Sequence, residues 1–277
     1  MSKKPVTRIT ISLLGLLLVL TPVGAAAEDV VLAGLGDGTA AEETAPGNGT
    51  ENSGSIGSSD STSGEAAAGT TIWDAVPVTA DVSGDWRMIL VNRAHLLPDG
   101  FQPDLTPIPY LNDGQTMFDS RAVDELNQML TDCAAQGYYP IVRAAYRSQD
   151  MQAYLYENKI QEWQADGYSR EDAEAVASTI VAVPGSSEHQ LGLACDIADS
   201  YDTLNSSQAD NPMQQWLMEH CTEYGFILRF PDGKSDITGI IYEPWHYRYV
   251  GKEMAEKITQ SGLCLEEYLE KYPEAGE

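Results

Sequence analysis

The chain has 277 residues, with 42 acidic against 16 basic side chains and a formal net charge of −26. A field of that sign repels phosphodiester backbones and anionic lipid, so nucleic acid and acidic membrane surfaces are poor partners. The length allows one large domain or two small ones, and a domain of about 200 residues buries an ample core without covalent staples.

At the front of the chain, Lys3, Lys4 and Arg8 accompany an apolar run from Ile9 to Leu20, interrupted by Thr10, Ser12 and Gly15, and Ala25-Ala26-Ala27 follow. A basic start, a short apolar stretch and small residues make up an export signal, so residues 1–27 are predicted to be a cleaved bacterial signal peptide. The alternative is an uncleaved membrane tether, although the stretch is shorter than the ~20 residues a spanning helix requires. The expected location is extracellular, or associated with the cell wall or membrane.

Over 28–82 the composition turns to Gly, Ser, Thr, Ala and acidic residues, and no Lys or Arg occurs between Arg8 and Arg87. Such a segment buries too little apolar surface to offset the entropy of ordering it, which predicts a disordered tether. The folded domain is expected over 83–277.

Trp86–Val91 reads as a short strand. Asp119-Ser120 is the expected start of a helix with Val123, Leu126, Met129 and Leu130 on one face, ending at Gly137. A β-rich run from Tyr138 to Ala145 precedes a helix over Gln149–Ala165, and Ser169 with Asp172 opens a third helix. Leu193–Ala198 is a compact apolar strand, and Asn211-Pro212 starts a helix that Gly225 ends. Phe226–Phe230 and Ile237–Val250 supply further strands, and helices at Lys252–Gln260 and Leu265–Lys271 close the chain. Helices and strands mix without βαβ alternation, which points to an α+β domain on a small, largely antiparallel sheet. Nothing in the sequence implies a stable protein partner, and a monomer is expected. Cys133, Cys195, Cys221 and Cys264 lack Cys-x-x-Cys spacing and permit one disulfide or none.

Chemistry concentrates in Ser187-Glu188-His189-Gln190-Leu191-Gly192-Leu193-Ala194-Cys195-Asp196 and in Glu243-Pro244-Trp245-His246. Of the four histidines, His95 and His220 fall in a loop and within a helix, contexts that suit exposed or capping side chains. His189 lies in a small-residue loop between a helix stop and a strand. Asp196 is embedded in an apolar strand, where a carboxylate is costly unless it is paired or bound to a cation. His189, Asp196 and His246 form a zinc triad that leaves a fourth position for water, with Glu243 as the base. A competing assignment makes Glu243 the ligand carboxylate and Asp196 its support. Pro244 disfavours helix at Glu243, and strand alternation separates residues three apart, so either reading demands a bend there. Arg147, after a strand-like run, is suited to an oxyanion or carboxylate in a dry cleft, with a surface ion pair as the alternative.

Ser187-x-His189-x-x-Gly192-x-Ala194-x-Asp196 with Glu243-x-Trp245-His246 resembles the VanY-type D-alanyl-D-alanine carboxypeptidases, zinc peptidases of bacterial cell-wall metabolism. Tyr146-Arg147-Ser148, Gln152 and the stretch Tyr224–Pro231 resemble further family segments. The likeness runs from Trp86 to Tyr268. It implies a hedgehog/DD-peptidase-like α+β fold with Zn2+ on His189, Asp196 and His246. It also implies Glu243 as catalytic base, Arg147 as the group that binds substrate and stabilises charge on the scissile carbonyl, and Ser187 and Gln152 as substrate contacts. The implied reaction removes the terminal D-alanine from peptidoglycan stem peptides. An L,D-carboxypeptidase acting on tetrapeptide stems and a non-catalytic zinc-containing wall-binding module are the alternatives.

Overall fold

The computed structural model describes residues 76–199 and 204–277. The expected signal peptide at 1–27 and the expected tether up to residue 75 lie outside the described residues. Inside the tether's expected span, Val78–Thr79 (β1) pairs in parallel with His95–Leu96 (β2). The amides of Val78 and Ala80 donate to the carbonyls of Ala94 and Leu96 at 2.8 and 2.7 Å, and Ala80 is buried in the main core. Regular pairing therefore begins ahead of the expected boundary between 82 and 83.

Leu105–Pro107 (β3) and Met117–Asp119 (β4) form an antiparallel pair, and Val123–Ala135 (α1) follows. The helix start expected at Asp119-Ser120 is displaced, because Asp119 ends β4 and its carboxylate accepts from the Arg121 amide and guanidinium at 2.6–2.9 Å. Val123, Leu126, Met129, Leu130 and Cys133 are buried along one side of α1, as their spacing requires. Ile141–Ala144 (β5), Gln149–Ala165 (α2) and Arg170–Ala177 (α3) come next. Ser148 and Ser169 cap the two helices by accepting from the amides of Met151 and Asp172, groups that have no partner inside a first turn.

The remaining elements are Ala194–Ala198 (β6), Pro212–His220 (α4), Phe226–Leu228 (β7), Ser235–Thr238 (α5), His246–Tyr249 (β8), Lys252–Ser261 (α6) and Leu265–Lys271 (α7). The main sheet has the order β5-β6-β8-β7, and every neighbouring pair is antiparallel. Strand alternation divides its two faces. Cys195, Ile197, Phe226, Tyr247 and Tyr249 enter the main core with the apolar side of α1 and with Met213 and Leu217 of α4. Asp196, His246 and Arg248 therefore point to the other face. A second cluster of Met88, Ile227, Val250, Ala255, Ile258, Leu265 and Tyr268 docks α6 and α7. The fold is α+β on a small antiparallel sheet, as the sequence implied.

Two expected strands differ. Trp86–Val91 forms none, because the carbonyls of Arg87 and Ile89 accept from Arg248 Nη2 at 2.9 Å each, and a buried guanidinium takes the acceptors that a neighbouring strand would need. The strand expected over Ile237–Val250 shortens to β8, since Gly239 closes α5 at φ 75° and Pro244 has no amide to contribute to a ladder. All four cysteines are free and buried. Burial pushes the thiols of Cys133, Cys221 and Cys264 up to about 12, which makes them unreactive core groups.

Candidate metal centre and active site

His189 sits on a single helical turn, Glu188–Leu191, that Gly192 ends at φ 74°. A Cβ at Gly192 would stand 3.0 Å from Leu105 Cδ2 and 3.4 Å from the Asp119 amide nitrogen, so the chain passes there only as glycine. His189 Nδ1 donates to the Ala145 carbonyl at 2.7 Å, which leaves Nε2 as the lone-pair nitrogen. Asp196 and His246 are register partners on β6 and β8, so their side chains stand side by side on one face. His246 Nδ1 lies 3.0 Å from Asp196 Oδ1, and His189 Nε2 lies 3.3 Å from Asp196 Oδ2. The two imidazole rings are nearly perpendicular, with centroids 4.9 Å apart.

The bend demanded at Pro244 is a tight turn. The His246 amide donates back to the Glu243 carbonyl at 3.2 Å, and the Glu243 amide donates to the Phe230 carbonyl at 3.1 Å. Gln214 Nε2, from α4, donates to the Pro244 carbonyl. β8 begins only at His246, so the alternation that would have separated Glu243 from His246 does not apply. Glu243 Oε2 ends 3.7 Å from His246 Nδ1.

One ligand atom each from His189, Asp196 and His246 fall within 4.8 Å of one another. His189 Nε2 and Asp196 Oδ1 are buried without a hydrogen-bond partner, a costly condition for lone pairs unless a cation takes them. Two imidazole nitrogens and a carboxylate are a donor set that suits zinc. In the metal-free site, burial and the nearby Arg147 hold the His189 pKa down to about 4. Burial opposes charge on His246 too, but its contacts with Asp196 and Glu188 prevail and its pKa rises to about 9. Burial also opposes charge on Asp196, yet both histidines hold it well below the usual carboxylate range. Burial raises Glu243 to about 8, with His246 and Arg147 pulling the other way.

Arg147 follows β5 and lies beside the triad, its Nη2 3.3 Å from Asp196 Oδ2, while Nη1 donates to Gln152 Oε1 at 3.0 Å. It is therefore a partly buried group of the site rather than a surface ion pair. Gln152 is fully buried on α2 and donates through Nε2 to the Ala182 carbonyl at 2.7 Å. Both ends of its amide bind the protein, so Gln152 meets the site through Arg147. Ser187 is buried at the entrance to the His189 turn, with its hydroxyl unused as a cap. His95 and His220 bond Asn92 and Glu223 and stand outside the metal-ligand group.

Sequence reasoning missed a buried charge network behind the triad. Glu188 Oε1 accepts from Arg229 Nε and Arg248 Nη1 at 2.7 Å each, and Arg229 also forks onto Glu266 of α7 at 2.6 and 2.8 Å. Arg229 and Arg248 are 1% and 0% exposed. The available signal was alternation: Arg248 lies two residues beyond His246 on one strand and shares its face.

A family model described as VanY, D-alanyl-D-alanine carboxypeptidase, matches residues 115–252. A D-alanyl-D-alanine carboxypeptidase of Enterococcus faecalis is 44% identical over 194 residues, spanning 69% of this chain and 69% of the relative. Among solved structures, a mutant of the vancomycin resistance D,D-pentapeptidase VanY, in complex with Zn(II), superposes with a TM-score of 0.60 at 42% identity, covering 67% of this chain and 99% of that one. The LdcB LD-carboxypeptidase superposes with a TM-score of 0.56 at 36% identity, covering 66% and 85%.

Proposed function

The chain belongs to the VanY family of D-alanyl-D-alanine carboxypeptidases and is a carboxypeptidase, and from that premise we propose that it removes the terminal D-alanine from peptidoglycan stem peptides with Zn2+ held by His189, Asp196 and His246. One observation carries the reading: buried, unpartnered lone pairs on His189 Nε2 and Asp196 Oδ1 converge with His246 Nδ1 beside Glu243. Zinc bound there supplies Lewis acidity, lowering the pKa of water toward ~7 and polarising the scissile carbonyl.

The remaining work falls to the chain. Glu243 takes the proton from the attacking water and delivers it to the departing amine of D-alanine. Burial favours its neutral form while His246 and Arg147 favour its carboxylate, and the charge of a bound metal would add to the latter, so the group is placed to accept a proton and then release it. Arg147, partly buried and aimed by Gln152, presents cationic donors to the carbonyl oxygen as negative charge develops there. Ser187, at the mouth of the ligand turn, faces the substrate. A purely structural zinc site is closed by four protein ligands and needs neither Glu243 nor Arg147.

The likeness to an LD-carboxypeptidase supports a second reading, an L,D-carboxypeptidase acting on tetrapeptide stems. The test offers the zinc-loaded protein a pentapeptide ending in D-Ala-D-Ala and a tetrapeptide ending in a single D-alanine after an L-centre, with products weighed by mass spectrometry. Trimming of the pentapeptide alone supports the first reading and trimming of the tetrapeptide alone the second, whereas no trimming refutes both. The export features of 1–27 and the acidic composition of 28–82 support a secreted enzyme held on a spacer. A mature N-terminus just after Ala25-Ala26-Ala27 is the expected result of sequencing the exported protein.

A further inference from the structure

Glu188 is a buried carboxylate that belongs neither to the ligand set nor to the acid-base chemistry. We propose that Glu188 is a positioning residue that selects the tautomer of His246 in which Nε2 keeps the proton and Nδ1 offers its lone pair to the metal. The inference rests on His246 being a metal ligand, as proposed above.

A neutral imidazole carries one N–H, and the group facing the second nitrogen decides which nitrogen is left free to bind metal. His246 Nδ1 faces the site, 3.0 Å from Asp196 Oδ1 and 3.7 Å from Glu243 Oε2. His246 Nε2 faces away from it, toward Glu188 Oε2 at 3.6 Å, an ion-pair separation just beyond hydrogen-bond length, and neither of those two atoms has a hydrogen-bond partner, here or elsewhere. The two oxygens of Glu188 thus have separate duties. Oε1 takes both Arg229 Nε and Arg248 Nη1, which fixes the carboxylate plane and makes it an acceptor only. Oε2 is left for the histidine. The arginines are themselves tied down, Arg248 by the carbonyls of Arg87 and Ile89 and Arg229 by Glu266.

Glu188→Gln separates this role from mere packing, because it changes the hydrogen bonding without changing the size. Arginine only donates, so the new amide keeps its oxygen toward Arg229 and Arg248 and turns its NH2 toward His246 Nε2. That arrangement favours a proton on Nδ1 and blocks the ligand lone pair. Glu266→Gln is the matched control: it removes a charge from the same cluster at a residue bonded to Arg229 and Asn92.

The experiment measures zinc affinity of the full chain by competition with a chromophoric chelator, and the His246 tautomer in the zinc-loaded wild type by long-range proton–nitrogen NMR. Expected are zinc binding about 10- to 100-fold weaker in Glu188→Gln, affinity close to wild type in Glu266→Gln, and a proton on His246 Nε2. Wild-type affinity in Glu188→Gln, equal weakening in both variants, or a proton on Nδ1 in the zinc-loaded protein overturns the proposal. Where Glu188→Gln does not fold, the wild-type tautomer decides alone. A wild type that binds no zinc overturns the proposed function as well, whereas a zinc-binding wild type with an indifferent Glu188→Gln variant overturns only this inference.

Discussion

Replacing Gln152 with alanine separates a residue that acts through Arg147 from one that touches substrate. The side chain joins the Ala182 carbonyl, at 2.7 Å, to Arg147 Nη1, at 3.0 Å. Truncation leaves a buried carbonyl and one guanidinium N–H without partners. A hydrogen bond to a charged group contributes about 1.5–3 kcal/mol, and about 1.4 kcal/mol is a factor of ten in rate. If that bond serves to aim the guanidinium, kcat/KM for D-alanine release falls roughly 10- to 100-fold. The stranded Ala182 carbonyl lowers stability by a further 1–3 kcal/mol, roughly, which urea unfolding reads separately. The decisive comparison is a double-mutant cycle with Arg147→Ala. If Gln152 works only through Arg147, adding Gln152→Ala to Arg147→Ala changes kcat/KM little further. Additive losses would refute the reasoning, and a raised KM at unchanged kcat would mark Gln152 as a direct binding contact.

Glu243→Gln is expected to lower kcat by about 10²- to 10⁴-fold while zinc content stays at that of the wild type; retained activity removes Glu243 as the base. In the metal-free site His246 titrates at about 9 and His189 at about 4, so at pH 7 His246 carries a proton that a metal must displace and His189 does not. Zinc affinity therefore weakens as pH falls below about 9. Calorimetry at pH 7 in buffers of different ionisation enthalpy is expected to register at least one proton released per metal, and no release contradicts the assignment. Arg248→Met removes a fully buried cation, strands the carbonyls of Arg87 and Ile89 and leaves Glu188 Oε1 with Arg229 alone. The expected loss is about 3–5 kcal/mol in urea unfolding, and a change near zero would mean that the network adds nothing to stability.

Local signals made much of the fold legible. The helices at Gln149–Ala165 and Leu265–Lys271 occupy their expected bounds, the first because Ser148 caps its opening turn. Asp196 was legible for the opposite reason, a charge in a strand too apolar to hold one unaided. The turn at Pro244 was legible as a requirement, since proline and alternation together left no regular structure that could bring Glu243 and His246 together. Long-range partnerships were not legible. Trp86–Val91 has strand composition, but Arg248, a residue more than 150 positions away, claims its carbonyls. Glu188 reads as an ordinary neighbour of His189 until folding brings Arg229 and Arg248 against it. Gln152 has the same history: its place near the site was readable, whereas its commitment to Ala182 and Arg147 depends on the packing of α2 against the loop that follows α3.

Crystals of the zinc-soaked protein, measured on either side of the zinc absorption edge, test the metal site most directly. The expected map has one anomalous peak about 2.0–2.2 Å from His189 Nε2, one Asp196 oxygen and His246 Nδ1, with the Glu243 carboxylate outside bonding distance. A peak bonded to Glu243 with Asp196 set back, ligation through His246 Nε2, or no peak among these residues would contradict it.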